Sequence, residues 1–357
     1  MKFLYVGAGK PYPFDRHIVD GLRDNGHEID ELSEDSEGFG KYRKLIKNLR
    51  EAKKKGGAKY DAIFVGFACP LFVPVVRLCS GRGARVIFNA VSSQYEANIV
   101  SRDVRAWSVQ ALKWWLVDFV SFRLSWKVLL ESEAQADYVR RLWFIPRRKA
   151  VKAWSGLNEK DFFYEAGLPK RDKFTVLFRG RFLPESGIDT VIKAAKILEN
   201  SDIEFVVVGH GFWYKEVNRL RQELSPKNAT FLTKPLPIAD LRRLMQSCRL
   251  SLGQMADHPR LDRTLPCKLF ESLAMRLPYL TARNPAVLEL LKENETCFCS
   301  EPGDPEDLAA KILHLRDRPE ELDRVADNGY RLYKDKLTSK RLADEIIKSC
   351  FETAATP

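Results

Sequence analysis

Thr175-Val176-Leu177-Phe178-Arg179-Gly180-Arg181-Phe182-Leu183-Pro184-Glu185-Ser186-Gly187-Ile188-Asp189 decides the fold. Thr175–Phe178 is a short, apolar strand, and a helix is predicted over Gly187–Leu198. A strand that turns through glycine into a helix is the repeating unit of a parallel, doubly wound sheet. The alternation continues with a strand at Glu204–Val208, then Gly209-His210-Gly211 and Thr230–Leu232. A helix near Ala239–Gln246, a strand at Leu250–Leu252, a helix near Pro266–Met275 and a strand at Tyr279–Thr281 complete it. The same pattern runs ahead of it: strand Lys2–Val6 with Gly7-Ala8-Gly9, helix Phe14–Asn25, strand Glu28–Leu32 and basic helix Lys41–Lys55, ended by Gly56-Gly57. Strands Ala62–Phe67 and Arg85–Asn89, a helix over Val104–Arg123 and strand Trp126–Leu130 follow. Between the halves, Ser155–Lys173 holds Gly156, Gly167 and Pro169 and reads as a linker. The expected fold class is α/β, with two sheets whose ligands sit at the carboxyl ends of the strands.

A chain of 357 residues, 45% hydrophobic, accommodates two domains. Seven cysteines with no C-x-x-C pair read as reduced, structural thiols of a cytoplasmic protein. The N-terminus enters a strand directly, without the apolar run of a signal peptide. The longest uncharged run, Ala62–Val76, is interrupted by Pro70 and Pro74 and falls short of the ~20 residues of a spanning helix. The expectation is a soluble or peripheral protein. Net charge is +11 and uneven: residues 1–170 hold 29 Lys/Arg against 20 Asp/Glu. That bias suggests an anionic partner for the first half. Without an RNA- or DNA-binding motif, nucleic acid is not expected.

Three signals carry chemistry. Gly180 ends a strand and would let a ligand approach the backbone, with Arg181 able to fork onto phosphate oxygens; a surface arginine beside a turn is the plainer alternative. In Thr264-Leu265-Pro266-Cys267-Lys268-Leu269-Phe270-Glu271, proline suits a first helical turn. Free N–H groups are then expected near Thr264 and Leu265, an anion site beside Lys268. Glu271 shares a helix face with Lys268 and could accept two ribose hydroxyls, or the two could form an ordinary surface ion pair. Gly209 and Gly211 form a weak G-x-G that could equally be a tight turn.

At these spacings the blocks Phe178–Ala195 and Leu265–Pro278 resemble the donor domain of GT-B glycosyltransferases, most closely the retaining family 4, with its G-R-x-x-P-E-K-G-I-D and P-x-K-x-x-E-x-x-A-x-G-x-P patterns. Asn89–Glu96 resembles the family's N-domain active-site loop, and Ser155-Gly156-Leu157-Asn158 with Asp161-Phe162-Phe163 its linker. The resemblance implies a GT-B fold: two Rossmann-like doubly wound domains facing a central cleft. It implies an acceptor-binding domain at 1–165, a nucleotide-sugar-binding domain at 170–330 and a helical tail at 331–357 packing back on the first. The implied activity is metal-independent, hexosyltransferase-type retaining transfer, without cofactor, from a nucleotide diphosphate sugar to a glycan or lipid-linked acceptor. Arg181 and Lys268 would neutralise the diphosphate, Gly180, Gly209, Gly211, Thr264, Leu265 and Glu271 would bind the donor, and the base would lie near Gly209–Gly211 and Leu232–Pro235. Ser186 stands where the family carries lysine, Arg263 (next to Asp262) where it carries a first glutamate, and Arg276 where it carries glycine. A nucleotide-sugar epimerase and a degenerate GT-B binding module are the alternatives.

In the first half, His17, Glu96 and Asp103 are candidates for the cleft, with Glu96 the best choice for a catalytic contact to sugar. The basic helix Lys41–Lys59, together with Trp107–Trp115 and Arg140–Lys149, suggests reversible electrostatic docking on an anionic membrane surface, at its inner face. With only Leu45, Ile46 and Leu49 as large apolar residues, the basic helix is not expected to insert deeply.

Overall fold

The computed structural model describes residues 1–9, 12–36, 38, 40–55, 60–81 and 83–352, without the side chains of residues 13 and 53–55. The chain forms two units, Met1–Asn158 with Leu337–Pro357, and Glu159–Lys336. The sequence boundaries at 165 and 330 therefore move to 158 and 336. The former linker is anchored to the second unit: the Glu165 amide donates to Gln246 Oε1 at 2.8 Å, Arg179 lies over the Phe162 ring, and Arg242 lies over that of Phe163.

The first unit runs β1 (Lys2–Gly7), α1 (Pro13–Asp24), β2 (Glu28–Ser33), α2 (Gly40–Lys55), β3 (Ala62–Val65), α3 (Phe72–Ser80), β4 (Val86–Val91), α4 (Gln94–Asn98), α5 (Val109–Leu124), β5 (Lys127–Leu130), α6 (Glu133–Trp143) and β6 (Ala150–Lys152). The second runs β7 (Phe174–Arg179), α7 (Ile188–Ile197), β8 (Ile203–Val208), α8 (Tyr214–Leu224), β9 (Ala229–Leu232), α9 (Ile238–Ser247), β10 (Leu250–Leu252), α10 (Cys267–Ala274), β11 (Tyr279–Ala282), α11 (Pro285–Leu288), β12 (Phe298–Ser300), α12 (Pro305–Arg316) and α13 (Pro319–Leu332). The last α-helix, α14 (Ser339–Ile347), returns to the first unit.

Both sheets are parallel and six-stranded, ordered β2-β1-β3-β4-β5-β6 and β12-β11-β10-β7-β8-β9. Apart from the more open edge strands β2 and β9, the strands are buried on both faces, as covering helices demand. In the first unit, Leu45, Leu49, Val73, Val76, Phe122 and Trp143 from α2, α3, α5 and α6 pack on one face. Ile18, Val19 and Leu22 of α1, with Ala343 and Ile346 of α14, pack on the other. Glycine at position 21 lets α14 approach, because a Cβ there would overlap the Ser339 carbonyl.

Some elements differ from the sequence reading. Helix α3 forms in spite of Pro74, because a proline in the first turn forfeits no intrahelical bond. Helix α5 starts at Val109 rather than Val104, since the Ser108 hydroxyl accepts the Ala111 amide at 3.1 Å and caps it there. The proposed stop at Gly56-Gly57 lies outside the described residues, as does Lys59. Among the described residues no helix is long and apolar enough to cross a membrane. All seven cysteines are free thiols.

Candidate functional site

In the second sheet the chain winds outward in opposite directions from β7 and β10, which pair Leu252 with Phe178. The carboxyl ends of these two strands form the topological switch point, where open α/β sheets bind ligands. Arg179, Gly180 and Arg181 follow one another at the end of β7, and Gly253 follows β10. Helix α10 turns Lys268 into the crevice. Its Nζ donates to the Gly253 carbonyl at 2.9 Å, lies 4.1 Å from the Phe178 ring centroid, and would stand 3.4 Å from a Cβ on Gly180. Burial, seconded by the neighbouring Arg179, pushes the Lys268 ammonium down from 10.5 to about 7, with Glu271 pulling the other way.

Glu271, one turn further along α10, is buried and forms a two-pronged ion pair with Arg179, Nη2 donating to Oε1 at 3.2 Å and Nη1 to Oε2. Burial raises its pKa, against the opposing pull of Arg179. The partner of Glu271 is thus Arg179, which the sequence reading left unassigned. Arg181, two residues on, is exposed, and no described side chain pairs with it. A second missed pair joins the loop after β7 to the loop before α10: Arg260 Nη1 donates to the buried Glu185 Oε1 at 2.5 Å. Both missed pairs join residues far apart in sequence, and helical spacing signals neither.

The glycines serve close backbone packing. A Cβ on Gly209 would overlap the Gly180 carbonyl, and one on Gly211 would lie 2.5 Å from the Phe182 carbonyl. The loop after β8 thus lies directly on the loop after β7, tied by Phe182 N–H to His210 O at 3.2 Å. Gly187 has φ +67 and faces the Met255–Ala256 backbone, so the turn into α7 requires it. Ser186, at the family's lysine position, is buried and donates to the Leu183 carbonyl at 2.6 Å.

Two expectations need correction. Pro266 caps α10 instead of opening it, and the helix begins at Cys267. Thr264 and Leu265 are buried ahead of the cap, and the Thr264 amide bonds the Arg260 carbonyl at 3.2 Å, so the first-turn amides of the helix begin at Cys267. Glu96 is fully buried in the first unit, away from the surface a sugar could reach. It sits in the first turn of α4, where the Glu96 amide donates to Ser93 Oγ at 3.0 Å and caps the helix, the Ser93 hydroxyl donates to Glu96 Oε2 at 3.2 Å, and Gln135 donates to the same oxygen. His17 is buried beside Gly156, and Asp103 is exposed in a left-handed turn. Helix α2 buries Leu45 and Leu49 and turns Arg43, Lys44, Lys47 and Arg50 to solvent. Among the described residues no group of three or more His, Cys, Asp or Glu could hold a metal ion.

Residues 159–332 match the family described as glycosyl transferases group 1. Over 315 residues the chain is 21% identical to the alpha-D-kanosaminyltransferase of Streptomyces kanamyceticus, covering 85% of this chain and 79% of that one. It is 23% identical over 188 residues to an uncharacterized glycosyltransferase of Methanocaldococcus jannaschii, 53% of this chain and only 50% of that relative's length. Among solved structures, Anabaena HepE in complex with UDP and glucose superposes with a TM-score of 0.72 at 15% identity, covering 98% of this chain and 99% of HepE. Sucrose-phosphate synthase from Thermosynechococcus elongatus gives 0.73 at 17% identity, covering 99% and 100%. The chain has the GT-B glycosyltransferase fold, and its second unit matches the model of the glycosyl transferases group 1 family.

Proposed function

We propose that the chain is a retaining glycosyltransferase that takes a sugar from a nucleotide diphosphate donor, UDP being the first nucleotide to test. The observation that carries this reading is the switch point of the second sheet, where the buried Lys268 ammonium, the exposed Arg181 and the N-terminus of α10 gather at one place. Positive groups there would bind the diphosphate and stabilise the charge that grows on it as the bond to the sugar breaks. The acceptor hydroxyl would form its bond to the anomeric carbon on the departing face, its proton passing to a phosphate oxygen of the leaving UDP. No side-chain base or metal is needed for that step. The bound UDP in HepE supports the choice of nucleotide. The ribose hydroxyls would meet Glu271, shared with or released by Arg179. The acceptor, a glycan or a lipid-linked sugar, would meet the first unit. Seven free thiols fit a reducing, cytoplasmic compartment.

Thermal unfolding with UDP, GDP, ADP and dTDP, followed by nucleotide release from the matching sugar donor, tests the reading. One nucleotide should raise Tm in a saturable way, and its sugar donor should release it in the presence of an acceptor extract. Failure of all four nucleotides to shift Tm would overturn the donor assignment. A shift without turnover would leave a binding module, the reading favoured by serine at position 186 in place of lysine.

A further inference from the structure

Helix α5 is apolar on both sides. Its inner side carries Ala111, Asp118, Ser121 and Phe122, with the half-buried Trp115 and Phe119 packed against the same core. Asp118 accepts the Gln94 and Tyr95 amides at 3.1 and 2.8 Å, and Ser121 donates to the Pro70 carbonyl at 2.9 Å. Its outer side carries Val109, Leu112, Leu116, Val120 and Leu124, exposed from 86% at the first to 37% at the last. Steps of three and four residues put all five on one face, the side that an ordinary surface helix makes polar. Trp107, 85% exposed, stands just ahead of the stripe, and Leu78 is exposed on the adjoining α3. A contiguous exposed apolar surface of this kind marks an interaction site.

The surrounding charge identifies the occupant. The one acid of α5 is the buried Asp118, and α3 has none. Lys113 and Arg123 are exposed on α5, and Arg102 and Arg105 precede it with one exposed acid, Asp103, between them. At its C-terminus Lys149 Nζ donates to the Phe122 and Arg123 carbonyls at 3.4 and 2.6 Å, with Arg77, Arg123 and Arg148 close enough to repel its charge. Helix α2, packed beside α3, adds the outward cations Arg43, Lys44, Lys47 and Arg50. A second copy docked face to face would set these cations against their own kind. An anionic leaflet offers an apolar layer for the stripe and phosphates for the rim.

We infer that the α5 face of the first unit docks on an anionic phospholipid bilayer, with the Val109–Leu124 stripe and Trp107 entering the headgroup–acyl boundary and the flanking lysines and arginines meeting lipid phosphates. This moves membrane contact from the basic helix α2, read from sequence as the docking element, to α5, with α2 at its rim. It rests on the transferase reading only for its purpose, access to a lipid-linked acceptor; the surface itself stands without it.

The test is flotation of the full chain with vesicles of phosphatidylcholine alone or mixed with phosphatidylglycerol. The chain should float with the mixed vesicles, less so as salt rises, and not with phosphatidylcholine alone. The exposed triple substitution L112S/L116S/V120S should weaken binding by about tenfold or more, with Tm and the UDP-induced Tm shift unchanged. K113E/R123E should weaken it with the same controls. A parent chain that floats with neither vesicle, or a triple variant that floats like its parent, overturns the proposal. So does a dimer in sedimentation velocity that the triple substitution dissolves while no vesicle is bound. An unchanged UDP shift in a variant that no longer floats separates loss of docking from any failure of the donor site.

Discussion

Lys268 is the residue whose charge state the fold controls most closely. With its pKa at about 7 in place of 10.5, the folded chain lacks a proton that the unfolded chain retains between those values. Stability from this group therefore rises with pH across about 7 to 10.5, and the penalty for burying the cation is complete below 7. A diphosphate beside Nζ favours the ammonium form, so UDP binding at pH 7.5 should take up a proton. Calorimetry in two buffers of different ionisation enthalpy should give different apparent heats for the parent and equal heats for Lys268→Met; equal heats in the parent would remove Lys268 from the phosphate site. Under the transferase reading, Lys268→Ala and Arg181→Ala should each lower turnover by about a hundredfold or more, measured as UDP release. Arg179 acts differently. Arg179→Ala strands the buried Glu271 carboxylate and should destabilise the second unit by about 3 kcal/mol, read from urea unfolding, whereas Glu271→Gln should chiefly weaken donor affinity. That Lys268 and Glu271 share one face of α10 was legible from their i,i+3 spacing. Arg179 was not, because neighbouring strand-end arginines look alike in sequence and only the packing of α10 against β7 separates the paired one from the exposed one.

At the scale of elements, the loops after β7 and β8 depend on the absence of side chains. Gly209→Ala places a methyl group onto the Gly180 carbonyl, and the loops must part to admit it. We expect a loss of about 1–3 kcal/mol in chemical denaturation, together with weaker UDP binding; an unchanged midpoint would mean the two loops do not pack as described. The strand–helix alternation of both halves was legible because parallel strands are continuous apolar runs. Helix polarity was harder to read. Asp118 and Ser121 in α5 look like solvent residues, and Leu112 and Leu116 look like core. Periodicity identifies a helical face without saying which face is inside, and capping partners such as the Gln94 and Tyr95 amides appear only in three dimensions. Glu96 misled for the same reason: its place just after an apolar strand suited a ligand contact, yet its spacing from Ser93 is that of a capping box.

At the scale of the molecule, the first unit is discontinuous and the second is a single stretch. The fragment 159–336 should fold alone and retain the UDP-induced Tm shift, while a chain ending at Lys336 should lose the cooperative unfolding of its first unit, because Ile18, Val19 and Leu22 would lose Ala343 and Ile346. Differential scanning calorimetry of the two truncations against the full chain measures both. The docking of α14 on α1 also sets an order of events on the ribosome. Helix α1 emerges well before its helical partner, with the whole of residues 159–336 translated in between. The nascent chain therefore carries an apolar groove, open along α1, until α14 is made. Meanwhile residues 159–336 are complete and able to close around their own core. The unit translated later matures earlier, and the first unit awaits α14, the interval in which a chaperone would find most to hold.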